Sequence, residues 1–198
     1  QNNKPLPADY AFKLGITYEM TSGKPGETPR ITETTFWLSE KDYAGFEIPK
    51  RAGMFMIYDL PNKQMVTFME DNKMVMVMDM GKMEQKMDSM HKKQATAPAF
   101  DNDVKISKTG KSEKILGYSC DQYQITTTKG NSLAWVTKEL GTGLGNFAQG
   151  FSQLMKNNPS GGGMPDMKAI GNGVMLKMET TSTESGATSK MEAKSVNK

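Results

Sequence analysis

The stretch that decides the fold is MFMIYDLPNKQMVTFMEDNKMVMVMD at residues 54–79. Three apolar runs make up most of this part of the chain, at residues 53–59, 64–69 and 73–79. Polar segments that contain Pro61-Asn62 and Asp71-Asn72 separate them. Short runs rich in Phe, Ile and Val between such Pro, Asn and Asp clusters are typical of strands joined by turns. This stretch therefore predicts a meander of antiparallel hairpins.

Both faces of these strands are apolar, because Met54 and Met56 alternate with Phe55 and Ile57. A sheet that is covered on one side only usually alternates apolar with polar residues, so we expect a second layer here. The segment at residues 81–93 is the candidate for that layer. It predicts an amphipathic helix, since Met83, Met87 and Met90 fall within about 60° of arc at 100° per residue.

The rest of the chain adds more strands around this meander. Residues 9–21 alternate, which predicts a strand with one apolar face formed by Tyr10, Phe12, Leu14, Ile16, Tyr18 and Met20. Further strands are expected at residues 30–39, 104–107, 113–127 and 133–137, with a turn at Thr109-Gly110-Lys111 and a terminal hairpin that turns at Glu184-Ser185-Gly186. Within residues 113–127 the apolar residues change from even positions to odd positions, which predicts a bulge at residues 117–121. Residues 144–156 predict a second helix.

The predicted fold class is therefore mainly β with minor α. We expect a large curved antiparallel sheet or unclosed β-barrel with about two helices packed in its hollow. Residues 1–8 are expected to form a flexible N-terminal tail, and residues 9–198 a single β-rich domain. The chain begins at Gln1 rather than Met, which suggests that a signal peptide has been removed.

Composition excludes several classes of function. The 198 residues carry 25 Lys and Arg against 22 Asp and Glu, a net charge of only +3, and the two arginines are Arg30 and Arg51. This is not the basic pattern of nucleic-acid binding proteins. No apolar run approaches the ~20 residues that a membrane-spanning helix needs, so a transmembrane protein is not expected.

Methionine is the unusual component, with 18 residues in the chain. Its flexible, soft thioether is suited either to an adaptable apolar surface or to a soft-metal site. The metal alternative has one favourable geometry, on the predicted helix, where Met83, Met87, Met90 and His91 would be neighbours and would suit Cu(I) or Ag(I). The strand residues Met74, Met76 and Met78 fit a shared ion less well, because same-face residues along one strand lie about 7 Å apart.

Catalysis is not expected. His91 is the only histidine and Cys120 the only cysteine, and nothing in the local sequence pairs either of them with a nucleophile or a base. Cys120 is interpreted as a small buried apolar residue, and Trp135 as a core residue. We expect neither an enzyme nor a bound cofactor.

Two segments carry a family resemblance: KSEKILGYSCDQY at residues 111–123 and AWVTKELG at residues 134–141, supported by GITYEM at residues 15–20. Together they resemble the domain of unknown function 4412 family. The resemblance implies a fold similar to the periplasmic lipoprotein carrier of the Lol pathway, an unclosed barrel with helices in its mouth. It also implies a periplasmic or secreted protein of the Gram-negative cell envelope, and it supplies no catalytic residues.

The sequence thus favours a non-enzymatic envelope protein that binds a lipid, an acyl chain or another hydrophobic partner, including an envelope protein. The expected lining of the groove is Met74, Met76, Met78, Met83, Met87 and Met90. Two alternatives stay open. One is a Cu(I) or Ag(I) binder that uses Met83, Met87, Met90 and His91, and the other is a structural or protein-interaction module whose methionines form a closed core.

Overall fold

The computed structural model describes residues 5–47, 53–80, 104–128, 130–141, 170 and 173–198. These residues form one antiparallel sheet of eleven strands. The strands are β1 (Leu14–Gly23), β2 (Arg30–Leu38), β3 (Tyr43–Glu47), β4 (Met54–Asp59), β5 (Gln64–Met69), β6 (Met74–Asp79), β7 (Lys105–Ile115), β8 (Tyr118–Thr127), β9 (Gly130–Thr137), β10 (Val174–Ser182) and β11 (Thr188–Asn197).

The order of the strands across the sheet is β6-β5-β4-β3-β2-β1-β11-β10-β9-β8-β7. The first six strands proceed outward from the centre, and the last five return from the opposite edge until β11 pairs with β1. Strands β6 and β7 are therefore the two edges, and the sheet is unclosed. The predicted mainly β, unclosed antiparallel architecture is confirmed.

Most of the predicted strands are present, including the three runs of the meander and the terminal hairpin. Strand β3 was not predicted, because its five residues include Gly45 and are too short to show a period. Gly45 is required there by close packing, since a Cβ at this position would lie 2.5 Å from Cζ of Phe55. The helices expected at residues 81–93 and 144–156 lie outside the described residues.

The prediction for residues 113–127 is wrong. Instead of one bulged strand, the chain reverses between Ile115 and Tyr118, which pair with each other. Leu116 and Gly117 form a two-residue turn with φ of 50° and 86°, as a type I′ hairpin requires. The parity change in the sequence marks this reversal. The turn expected at Thr109-Gly110-Lys111 is likewise an irregularity inside β7, between Lys108 and Ser112.

Replacing Leu116 with Asn is expected to raise the free energy of unfolding by about 1 kcal/mol, because Asn tolerates the left-handed backbone that costs other residues ~1–2 kcal/mol. Leu116 is 45% exposed, so little packing is lost. Thermal unfolding should show a melting temperature roughly 2–4 °C higher. Leu116→Ala is the control, since Ala gains nothing at positive φ; an equal rise in both variants would contradict this explanation.

The N-terminal segment does not extend β1 as predicted. Leu14, Ile16 and Tyr18 belong to the largest buried cluster, but Tyr10 and Phe12 join a separate cluster whose buried members are Tyr43, Ile57 and Val66. We call this separate cluster the side core. The rings of Tyr10 and Phe12 meet Tyr43 edge to face, with centroids 5.1 and 5.6 Å apart. The residues that precede β1 thus pack on one face of β3 and β4, whereas Val75 on the same side of β6 is 48% exposed.

The largest cluster, which we call the main core, lies where the sheet divides. Strands β10 and β11 pair from Thr181 and Thr188 as far as Lys177 and Glu192. Beyond that point β10 pairs with β9 alone and β11 with β1 alone. We call this parting of the two strands the split. The fully buried side chain of Leu176 belongs to β10 at the split, and the main core unites it with side chains of β1 and β11.

Candidate functional site: the methionine face

The face of β4–β6 opposite the side core is built almost entirely from methionine. In an antiparallel pair, directly opposed residues point to the same side of the sheet. The register places nine such residues in three rows across the three strands. The rows are Met54–Met69–Met74, Met56–Thr67–Met76 and Tyr58–Met65–Met78. We call this nine-residue surface the methionine face.

Two turns of the same construction set this register. Residues 60–63 join β4 to β5, and residues 70–73 join β5 to β6. In each turn the last residue, Lys63 or Lys73, has a positive φ of about 50° and donates its N–H to the carbonyl of the first residue at 3.1 Å. A tight turn closed by a left-handed residue fixes which residues oppose one another. The two turns therefore align the methionines of all three strands.

The methionine face is apolar and partly open. Met74 and Met76 are each 48% exposed, whereas the other methionines of the face are half-buried. No member of the face is charged, and its polar atoms are the hydroxyl groups of Thr67 and Tyr58. Burial raises the pKa of Tyr58 above its ordinary value, so this hydroxyl stays neutral. Such a surface can hold an apolar group.

A ladder of aromatic rings connects the methionine face with the main core. Tyr18, Phe36, Phe46 and Tyr58 come from β1, β2, β3 and β4 in turn. Each ring meets the next edge to face, with centroid separations of 5.4, 4.7 and 5.1 Å. Pairs of this kind add about 0.5–1.5 kcal/mol each beyond the area that they bury. Because Phe46 is directly opposite Met56, the ladder lies on the same side of the sheet and continues the apolar surface of the methionine face to the centre of the sheet.

The structure brings together only part of the predicted site. Met74, Met76 and Met78 are all on the methionine face. Met83, Met87, Met90 and His91 lie outside the described residues. Sequence reasoning missed Met54, Met56, Met65 and Met69 as site residues. The two predicted turns were the available signal, because counting outward from each turn gives the opposed pairs.

Other candidate sites offer less chemistry. The thiol of Cys120 is fully buried, and burial raises its pKa to about 11, so it is protonated and unreactive at neutral pH. Trp135 is also a buried core residue, as predicted. Among the described residues there is no group of three or more His, Cys, Asp or Glu side chains that could hold a metal ion.

An open cleft of about 470 Å³ lies at the turns that join β1 to β2 and β10 to β11. Its lining consists of polar and small residues that are exposed or half-buried, among them Lys24, Arg30 and Thr180. It shares no residue with the methionine face. Within the part of the chain that the structure describes, no helix has the length and apolarity to cross a bilayer.

Comparison with known families gives a clear result. The model of the domain of unknown function family DUF4412 matches residues 29–198. The chain belongs to the DUF4412 family. The family resemblance inferred from the sequence is confirmed. The match begins after β1, although that strand is central in the sheet and carries three residues of the main core. No curated protein matches the sequence.

The solved structures that this DUF4412 chain resembles have low sequence identity to it. PNGF-II is 16% identical with a TM-score of 0.43, over 94% of this chain and 28% of that one. A LolA superfamily protein from Nitrosomonas europaea is 11% identical with a TM-score of 0.34, over 93% and 84%. An outer membrane lipoprotein-sorting protein domain from Vibrio parahaemolyticus, described as putative, is 11% identical with a TM-score of 0.28, over 93% and 84%. This chain thus spans little more than a quarter of the PNGF-II chain.

Proposed function

We propose that this DUF4412 chain is a non-enzymatic, periplasmic or secreted protein of the cell envelope that binds a hydrophobic partner on its methionine face. The partner class is a lipid, such as the acyl chain of a phospholipid or lipoprotein. The observation that supports this proposal is the uncharged, partly exposed three-row surface of seven methionines, one threonine and one tyrosine. Contiguous exposed apolar surface of this kind is typical of ligand-binding or protein-binding sites.

Methionine suits acyl chains because its unbranched side chain has three rotatable bonds and adapts to irregular apolar shapes. The aromatic ladder complements this adaptability, since the edge-to-face contact of Phe46 with Tyr58 holds β4 against β3 beside the methionines. The alternative in which the methionines form a closed core is less favoured, because of the exposure of the β6 methionines. In such a core Met74 and Met76 would be buried, but both are half exposed.

A fatty acid with a fluorescent label tests the proposal by titration of the purified full-length chain. We expect saturable binding, and we expect Met76→Glu to weaken it at least tenfold, because a carboxylate in the middle row would have to lose its hydration on contact with the acyl chain. Ile31→Glu is the matched control. Ile31 is an exposed apolar residue, 56% accessible, that is paired on β2 outside the methionine face.

Native mass spectrometry of gently purified protein provides an independent readout. A co-purified or added lipid should appear as a mass increment on the wild-type chain and be reduced in Met76→Glu. A clean apo mass that does not respond to added lipid would overturn the proposal. Equal loss of binding in Met76→Glu and Ile31→Glu would show that the methionine face is not the site.

A further inference from the structure

The outer row of the methionine face brings three thioethers together from three different strands. Met69 of β5 is directly opposite Met54 of β4 on one side and Met74 of β6 on the other. Directly opposed residues in an antiparallel pair have Cβ atoms about 4.5–5.5 Å apart. The flexible side chains of the two outer methionines can therefore turn their sulfur atoms toward that of Met69. Same-face methionines of one strand lie about 7 Å apart, which is too far for a shared ion, but residues paired across strands are closer.

Thioether sulfur is a soft ligand that selects Cu(I) and related soft ions over Mg²⁺ or Ca²⁺, which prefer oxygen ligands. We propose that Met54, Met69 and Met74 form a binding site for one soft monovalent metal ion of the Cu(I) class. This site goes beyond the proposed binding of a hydrophobic partner and differs from the helical set of Met83, Met87, Met90 and His91 that the sequence suggested.

Access and charge distinguish this row from the other row of three methionines. Met20, Met191 and Met178 are also opposed across β1, β11 and β10. All three are half-buried, and Met178 and Met191 pack against buried clusters.

In the outer row, Met74 is half exposed at the edge strand, which gives an ion a path to the sulfur atoms. The β5–β6 turn brings acidic groups beside this row. A Cβ placed on Gly53, next to Met54, would lie 3.1 Å from Oδ1 of Asp71 and 3.2 Å from Cβ of Glu70. With Lys73 in the same turn, residues 70–73 carry a net charge of −1, which favours the approach of a cation.

Silver ion is the probe, because Ag(I) has the same ligand preference and needs no reductant. Isothermal titration of the full chain in chloride-free buffer is expected to give one Ag(I) per chain. The triple variant Met54→Leu, Met69→Leu, Met74→Leu should bind at least tenfold more weakly. Leu is close to Met in volume, so the variant is expected to fold, and thermal unfolding verifies this.

The matched control is Met56→Leu, Met65→Leu, Met78→Leu, which removes three thioethers from the same face and leaves the outer row intact. It should keep the affinity within about threefold. Cys120→Ala and the double variant Met87→Leu, His91→Ala should also bind as the wild type does. Absence of Ag(I) binding, unchanged binding in the outer-row variant, or loss of binding in any of these controls would overturn the site.

Discussion

Replacing Leu176 with alanine is expected to lower the free energy of unfolding by about 3–4 kcal/mol, within the range for Leu→Ala changes that leave a cavity. The side chain of Leu176 has no exposed surface. It lies at the split, where β10 and β11 no longer hydrogen-bond to each other. Side-chain packing there takes over the role of the missing backbone pairs, and alanine would leave a void in it.

A hydrogen bond between a side chain and the backbone also connects the two halves of the sheet near the split. The hydroxyl of Tyr18 on β1 donates a buried hydrogen bond of 2.7 Å to the carbonyl of Met175 on β10. Because this bond connects the two halves of the sheet across the split, Tyr18→Phe should cost about 1 kcal/mol, the usual net value of one hydrogen bond.

Urea unfolding measures both variants, with Ile31→Ala as an exposed control that should change the free energy of unfolding by less than about 0.5 kcal/mol. A Leu176→Ala effect no larger than that of the control would mean that the main core does not hold the two halves of the sheet together.

Replacing Asp59 with alanine is expected to cost about 3 kcal/mol. The Asp59 carboxylate is 1% exposed. It accepts hydrogen bonds from the Tyr10 hydroxyl at 2.9 Å, from the Asn62 backbone N–H at 3.1 Å and from the Asn62 side-chain amide at 2.8 Å. Hydrogen bonds to a charged group contribute about 1.5–3 kcal/mol each, and removing the acceptor also leaves donors without a partner.

Asp59 connects the N-terminal segment to the β4–β5 turn, so its loss should loosen the cover of the side core as well as the turn. Burial, followed by the hydrogen bond to Asp59, raises the pKa of Tyr10. In Asp59→Ala this pKa should therefore fall. Urea unfolding and a spectroscopic tyrosine titration are the measurements. Asp42→Ala, an exposed carboxylate, is the control, and similar losses in both variants would contradict the proposed role of Asp59.

The sequence determined where most strands lie. Alternation with period two is a local property, so β1, β2, the meander β4–β6 and the terminal hairpin could be located from it. The errors have local causes as well. Leu116 and Gly117 reverse the chain in only two residues, which produces the same parity change as a bulge. Tyr10 and Phe12 keep the alternation of β1, although the chain there leaves the strand.

Only the tertiary structure decided which methionines are neighbours. Along one strand the period separates same-face methionines too widely to share a ligand. Pairing across strands places Met69 between Met54 and Met74, which are 15 and 5 residues away from it in sequence. Such contacts depend on turn geometry and register, because a shift of one residue would move every side chain to the opposite face. The sequence by itself determined the positions of most strands and the abundance of methionine. Only the pairing of β4, β5 and β6 assembled those methionines into a three-row surface.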